Sequence, residues 1–188
     1  MALPLPAPEV VSPRLYTTAD LDLLPENWYQ LTNGVLTVSP APPFGHQKLS
    51  FELAVILRSL VPSDRFVVAM ETGVDFPEDT YRVPDVTIAR APIEDEERHL
   101  RAEEVAVAIE VESPSSRHED RYFKPALFAL NGIPHYWRVE QKPLVVTAYA
   151  LKEGRYVEVA AAGEGETLAL EEPFPVRIAV SDLLPQPS

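Results

Sequence analysis

Residues Ala106–Ser116 read AVAIEVESPSS. The run from Val105 to Val111 is that of a strand covered on both faces, yet it is interrupted by Glu110 and closed by Glu112. Side chains two apart on a strand share a face, so the two carboxylates point the same way. Two unit charges ~4 Å apart at an effective dielectric near 20 repel by about 4 kcal/mol. Paired acids at the end of the most apolar strand therefore need protons, bases or a cation.

A second strand supplies a third acid. RVPDVTIAR, residues 82–90, has Pro84 at its entry, where a missing N–H is tolerated, and Asp85 beside the β-branched run that follows. One charged loop, residues 91–104, joins this strand to the one carrying Glu110. The two strands are expected as neighbours in one sheet, with Asp85, Glu110 and Glu112 converging at its rim. Carboxylate and carbonyl oxygens select hard divalent ions, Mg²⁺ or Mn²⁺. His46, His99, His118 and His135 are scattered and cysteine is absent, so the spacing offers no zinc site. The competing reading places the glutamates at a solvated sheet edge, paired with Arg82, Arg117 or Lys124. Just past the acids, Ser113-Pro114-Ser115-Ser116 sets hydroxyls at a helix start, where anions such as phosphate are attracted.

The rest of the chain reads as one α/β domain over 16–188, preceded by an extended Pro-rich arm at 1–15. Thr17 or Thr18 caps a short helix that ends at Pro25. WYQLTNGVLTVSP is a β-hairpin turning at Asn33-Gly34. HQKLSFELAVILRSLV carries Leu49, Leu53, Ile56, Leu57 and Leu60 at helical spacing and stops at Pro62. FVVAMETGVDF reads as a strand pair around Gly73. A helix is expected from about Ser115 to Asn131-Gly132, with Pro125 imposing a kink or a late start. HYWRV, LVVTAYAL and RYVEVAAA are successive strands, and Tyr136 and Trp137 are read as core. TLALEEPFPVRIAVSDLL closes the domain with a strand and a helical turn.

Composition bounds the partners. With 188 residues and 46% apolar content the chain can bury a full core. Its 29 acidic against 16 basic residues give −13, a field that repels polyanions unless cations or local basic patches intervene. The lack of cysteine excludes disulfides, iron–sulfur clusters and thiol catalysis, and suits a reducing compartment. No leader or membrane-length apolar run is seen, so a cytoplasmic location is expected.

Pro84-Asp85 followed by E-V-E-S-P-S at Glu110–Ser115 resembles the restriction-endonuclease-like PD-(D/E)xK nucleases. Within them the chain is similar to the Uma-two family of bacterial restriction endonucleases, from about Leu31 to Leu184. Further matches are the hairpin followed by S-P, the His46-Gln47 helix start, D-x-x-x-K at Asp120–Lys124, and G-I-P-H-Y-W at Gly132–Trp137. The resemblance implies a central mixed β-sheet flanked by helices, with an N-terminal β-hairpin and additional C-terminal strands. It also implies Mg²⁺-dependent cleavage of DNA, with Mn²⁺ able to substitute. Asp85 and Glu110 would bind the ion, with the Val111 carbonyl as a further ligand. Glu112 stands where the motif has lysine, and Lys124 matches relatives that supply it from the adjacent helix. His46, Ser113, Ser115 and Arg117 are the expected phosphate contacts. Gln30, Asn33 and Val35 replace acids common in relatives' hairpins, which leaves room for two alternatives. One is a lapsed nuclease fold that binds a protein partner, and the other a small-molecule phosphohydrolase. A homodimer is expected by analogy with two-fold duplex cutters.

Overall fold

The computed structural model describes residues 9–184 apart from 26, 95, 97 and 115, with the side chains of 9–14 also outside the description. Strand β1 (Glu9–Leu15) leads to the one-turn helix α1 (Thr18–Leu21) and the hairpin β2 (Tyr29–Thr32) and β3 (Val35–Val38). Thr17 N–H donates to Asp20 Oδ2 at 2.8 Å, closing a capping box over α1. The hairpin turns through Asn33 at φ 49° and Gly34 at φ 78°, the left-handed pair that a type I′ turn requires. Helix α2 (Phe44–Leu60) starts two residues before the predicted His46. Its apolar stripe buries Leu49, Leu53 and Leu57, each worth about 1.5–3 kcal/mol when fully covered.

Next come β4 (Phe66–Met70), β5 (Gly73–Phe76), β6 (Thr80–Arg82), β7 (Val86–Arg90) and β8 (His99–Arg101). The segment predicted as a strand pair around Gly73 divides instead. β4 and β5 join different sheets, separated by a sharp turn in which Glu71 has φ 50°. The charged loop of 91–104 gives up three residues to β8 and three to a 3₁₀ turn. β9 (Val105–Val111) carries the acid-ended run and is buried at all seven positions. A π-helical turn, Glu119–Phe123, precedes α3 (Lys124–Leu130). The helix runs without a break from Arg117 through this turn into α3, and Pro125 falls just after the wide turn, so the helix is locally distorted rather than late in starting. β10 (His135–Gln141), β11 (Leu144–Lys152) and β12 (Arg155–Gly163) follow, then the ribbon β13 (Thr167–Leu170) and β14 (Val176–Ala179) before a closing 3₁₀ turn. The C-terminal segment thus holds two strands where the sequence reading had one.

Two six-stranded sheets result, in the orders β1-β3-β2-β6-β5-β8 and β12-β11-β10-β9-β7-β4. In the second, β9 and β10 run parallel and the other neighbours antiparallel. Its two faces carry separate cores. Val107, Ile109 and Val111 pack with Leu53, Leu57 and Trp137 toward α2, while Ala108 packs with Phe128 and Tyr136 toward α3. Tyr136 and Trp137 are core residues, as expected. The antiparallel register Val86↔Ile109 places the entry of β7 against the exit of β9. That junction positions the acids.

Candidate active site

Asp85 reaches across the junction. Its Oδ2 accepts the Val111 N–H at 2.7 Å and lies 3.1 Å from His46 Nε2 on α2. Neither contact uses Oδ1. Burial disfavours a charge on His46, but the hydrogen bond to Asp85, that residue's charge and the Val111 carbonyl outweigh it, so its pKa rises above 6.5.

Glu110 is wholly buried on the α3 face. Lys124 Nζ donates to its Oε2 at 2.7 Å and sits 3.0 Å from Asp120 Oδ1. The other Glu110 oxygen, Oε1, is buried with no hydrogen-bond partner among the described residues. Asp120 in turn accepts from the Ser116 hydroxyl. Burial, first, and then the charges of Asp85 and Asp120 push the Glu110 carboxyl well above its usual 4.5, although Lys124 opposes them. Burial likewise raises Asp120. Lys124 loses solvation on burial, yet Glu110, Asp120 and Asp85 more than compensate, and its ammonium is held far above its ordinary range. Glu110 and Asp120 thus share one ammonium, with the charge of Asp85 close by. The crowding of these acids disfavours the charged form of Glu110.

Glu112 faces the same helix but belongs to a different arrangement. Arg117 Nε donates to its Oε1 at 2.6 Å and Arg121 Nε to its Oε2 at 2.5 Å, with Arg138 Nε 3.8 Å away. Burial alone would raise its pKa; Arg121 and Arg117 overcome that and lower it. Helical spacing sorts the two acids. Arg117 and Arg121 form one i,i+4 ridge, and Asp120 and Lys124 form the next. The structure therefore brings Asp85, Glu110, Val111, Lys124 and His46 together and leaves Glu112 and Arg117 outside that group. Ser113 lies at the group's rim. Ser115 lies outside the described residues.

The sequence reading missed three contributors. Asp120 was visible as the i−4 partner of Lys124. Arg82, 2% exposed, donates to the carbonyls of Leu31 and Tyr81 and to Thr32 Oγ1, and stacks over the Phe123 ring at 5.0 Å. Only the fold could show that a residue so close to Asp85 is tied to the hairpin. Trp28 lines the same cavity as the acids. This cleft of about 700 Å³ is lined by His46, Asp85 and Glu110 together with Gln30, Trp28 and Tyr29.

No three His, Asp or Glu side chains converge as a ready metal cluster among the described residues. What they offer is two free carboxylate oxygens, Asp85 Oδ1 and the orphaned Glu110 Oε1. That fits Mg²⁺, which keeps several waters and is commonly bound by one or two carboxylates plus substrate phosphate.

The family model for Uma2, described as "Putative restriction endonuclease", matches residues 18–181. The chain belongs to this family. The Uma2 match covers every strand of both sheets except β1, and every residue of the acid junction. No curated protein matches the chain. Among solved structures it is similar to a "putative nuclease belonging to DUF820" from Anabaena variabilis ATCC 29413. That likeness has a TM-score of 0.67 at 18% identity, over 89% of this chain and 96% of the other. The fold of this Uma2 chain is thus the mixed α/β, restriction-endonuclease-like one. At that identity the likeness speaks for the fold alone. Among the described residues no helix is long and apolar enough to cross a membrane.

Proposed function

We propose that the chain is a Mg²⁺-dependent nuclease that hydrolyses DNA phosphodiester bonds, with Mn²⁺ able to replace Mg²⁺. The observation that carries this reading is the buried, unpartnered Oε1 of Glu110, facing the same cleft as Asp85. A buried acceptor left unmade costs about 1–3 kcal/mol, more for a charged group, so an orphan here calls for an occupant. Asp85 Oδ1 and Glu110 Oε1 would hold the ion, with the Val111 carbonyl beside them. When bound, the ion supplies Lewis-acid polarisation of the phosphate and a more acidic water.

The chain's own groups do the rest. His46 and the Val111 N–H fix Asp85 through Oδ2 alone, so Oδ1 is presented without rotation. Lys124, always protonated, stabilises the charge that develops on the phosphate oxygens. Asp120 also holds the Lys124 ammonium, and Ser116 fixes Asp120. Glu112 takes no catalytic part and ties the helix of 117–130 to the strand end.

Calorimetry with Mn²⁺ on wild type and Asp85→Ala tests the ion site, and incubation of single-stranded, duplex and branched DNA with Mn²⁺ tests the reaction. Wild type binds at sub-millimolar Mn²⁺ and cleaves, and the variant does neither. Failure of wild type to bind at millimolar levels overturns the reading.

A further inference from the structure

Glu110 is wholly buried and the Asp85 side chain only 20% exposed, so the acids are recessed in the cleft rather than set on an open face. A volume of about 700 Å³ is that of a small-ligand pocket. A duplex behaves as a stiff rod over its whole binding site and cannot bring a phosphodiester to the bottom of such a cavity without distortion. Enzymes with recessed chemistry act on single strands or extruded nucleotides for the same reason.

The cleft's charges point the same way. Of the basic side chains lining it, Lys124 is engaged by Glu110 and Asp120, Arg82 by backbone carbonyls, His46 by Asp85, His99 by Asp75, and the exposed Arg98 by Asp22 at 3.4 Å. With −13 overall, phosphate neutralisation supplies little of the affinity a polyanion needs. The far wall offers aromatic surface instead. Trp28 is 39% exposed and lines the cleft beside Tyr29, with the Gln30 amide next to them. Stacking of a base on an aromatic ring contributes about 1–3 kcal/mol without requiring positive charge.

We propose that the cleft receives one unstacked nucleotide of a single strand, its base against Trp28 and its phosphodiester at Asp85 and Glu110. This rests on the nuclease reading, and names the substrate form and the residue that selects it. Duplex DNA is then a substrate only where it is frayed or melted.

Trp28 reports its own occupancy, because the second tryptophan, Trp137, is fully buried. The probe is a hydrolysis-resistant phosphorothioate hexathymidylate, titrated in Mg²⁺ while tryptophan emission is followed. The strand quenches the exposed component, and Trp28→Leu weakens its binding, read by anisotropy of a labelled strand, by roughly 5- to 150-fold. The Mn²⁺ affinity of that variant is unchanged. An abasic strand or an intact duplex binding as tightly as the hexamer would overturn the inference. So would thymidine monophosphate binding as tightly, which would mark a small-nucleotide site. If duplex is cut as fast as single strand and Trp28→Leu changes neither, the nucleotide pocket falls while the nuclease stands. If the strand quenches Trp28 but no DNA is cut with Mg²⁺ or Mn²⁺, the nuclease falls and the pocket stands.

Discussion

Glu110 and Glu112 are the same side chain, two residues apart, facing the same helix, and they meet opposite electrostatic fates. Around Glu110 the carboxylates of Glu110 and Asp120 share the ammonium of Lys124 with the charge of Asp85 nearby, one Glu110 oxygen has no hydrogen-bond partner among the described residues, and the carboxyl is pushed above its usual range. Around Glu112 two arginine Nε groups lie within 2.6 Å, a third is 3.8 Å away, and the carboxyl is pulled below it. One environment is short of positive charge and the other has enough. Strand parity made the two acids look like partners; the helix ridges opposite them separate an acid crowded by other carboxylates from one held by arginines.

The sharpest way to break this comparison is to remove each charge in turn. Glu110→Gln is expected to lower DNA cleavage by more than about 10³-fold, on the scale of losing a main transition-state stabiliser. It should also abolish Mn²⁺ binding in calorimetry, while Lys124 remains paired with Asp120 and the fold survives. His46→Ala releases Asp85 Oδ2 from one of its two contacts. Losses of this kind weaken metal binding by about 10- to 100-fold, with no change of fold by circular dichroism. Glu112→Gln should leave Mn²⁺ affinity as it was and cost stability instead. Losing hydrogen bonds to a charged group costs about 1.5–3 kcal/mol, and the 59% exposure of the Arg117 side chain puts the expectation at the lower end. For a chain of this length that is a fall in melting temperature of roughly 3–6 °C.

The smallest effect lies in pH dependence, and its sign differs between the two acids. The folded pKa of Glu110 is raised above 4.5, so its contribution to stability is complete below 4.5 and fades as pH rises through the folded value. The folded pKa of Glu112 is lowered, so its contribution is present above 4.5 and fades as pH falls through the folded value. Thermal melts across pH should therefore show Glu110→Gln flattening the alkaline side of the wild-type curve and Glu112→Gln flattening the acidic side. Because the Glu110 pKa is raised, protons and Mn²⁺ are expected to compete for it, and calorimetry across pH should show Mn²⁺ affinity rising with pH.

Much of the site was legible in the sequence where local pattern and physics coincide. The β9 run announced a buried strand, the single connecting loop announced its neighbour β7, and together they placed Asp85 against Glu110. Family motifs added Lys124. What stayed hidden depended on which ridge of a helix each strand residue meets. Arg117 was already a candidate partner for the glutamates, but which acid it meets, and that Arg121 joins it, needed the helix phase, and that phase passes through a π-helical turn that no periodicity reveals. Arg82 and Trp28 enter through contacts between residues some 50 apart or across the cleft, beyond any local window. The division of β4 and β5 between sheets was masked because each reads as an ordinary strand.

The wider turn at Glu119–Phe123 behaves like a single-residue insertion spliced into a regular helix. Arg117, which grips the strand end, lies just upstream, Arg121 lies within the turn, and the cleft lysine follows it. The wide turn absorbs its extra residue locally, so deleting one residue there would let the helix relax to uniform winding with Lys124 still at nearly its present angle to Arg117. Straightening the turn at constant length would instead swing the ammonium by about a quarter of a revolution and uncouple scaffold from chemistry.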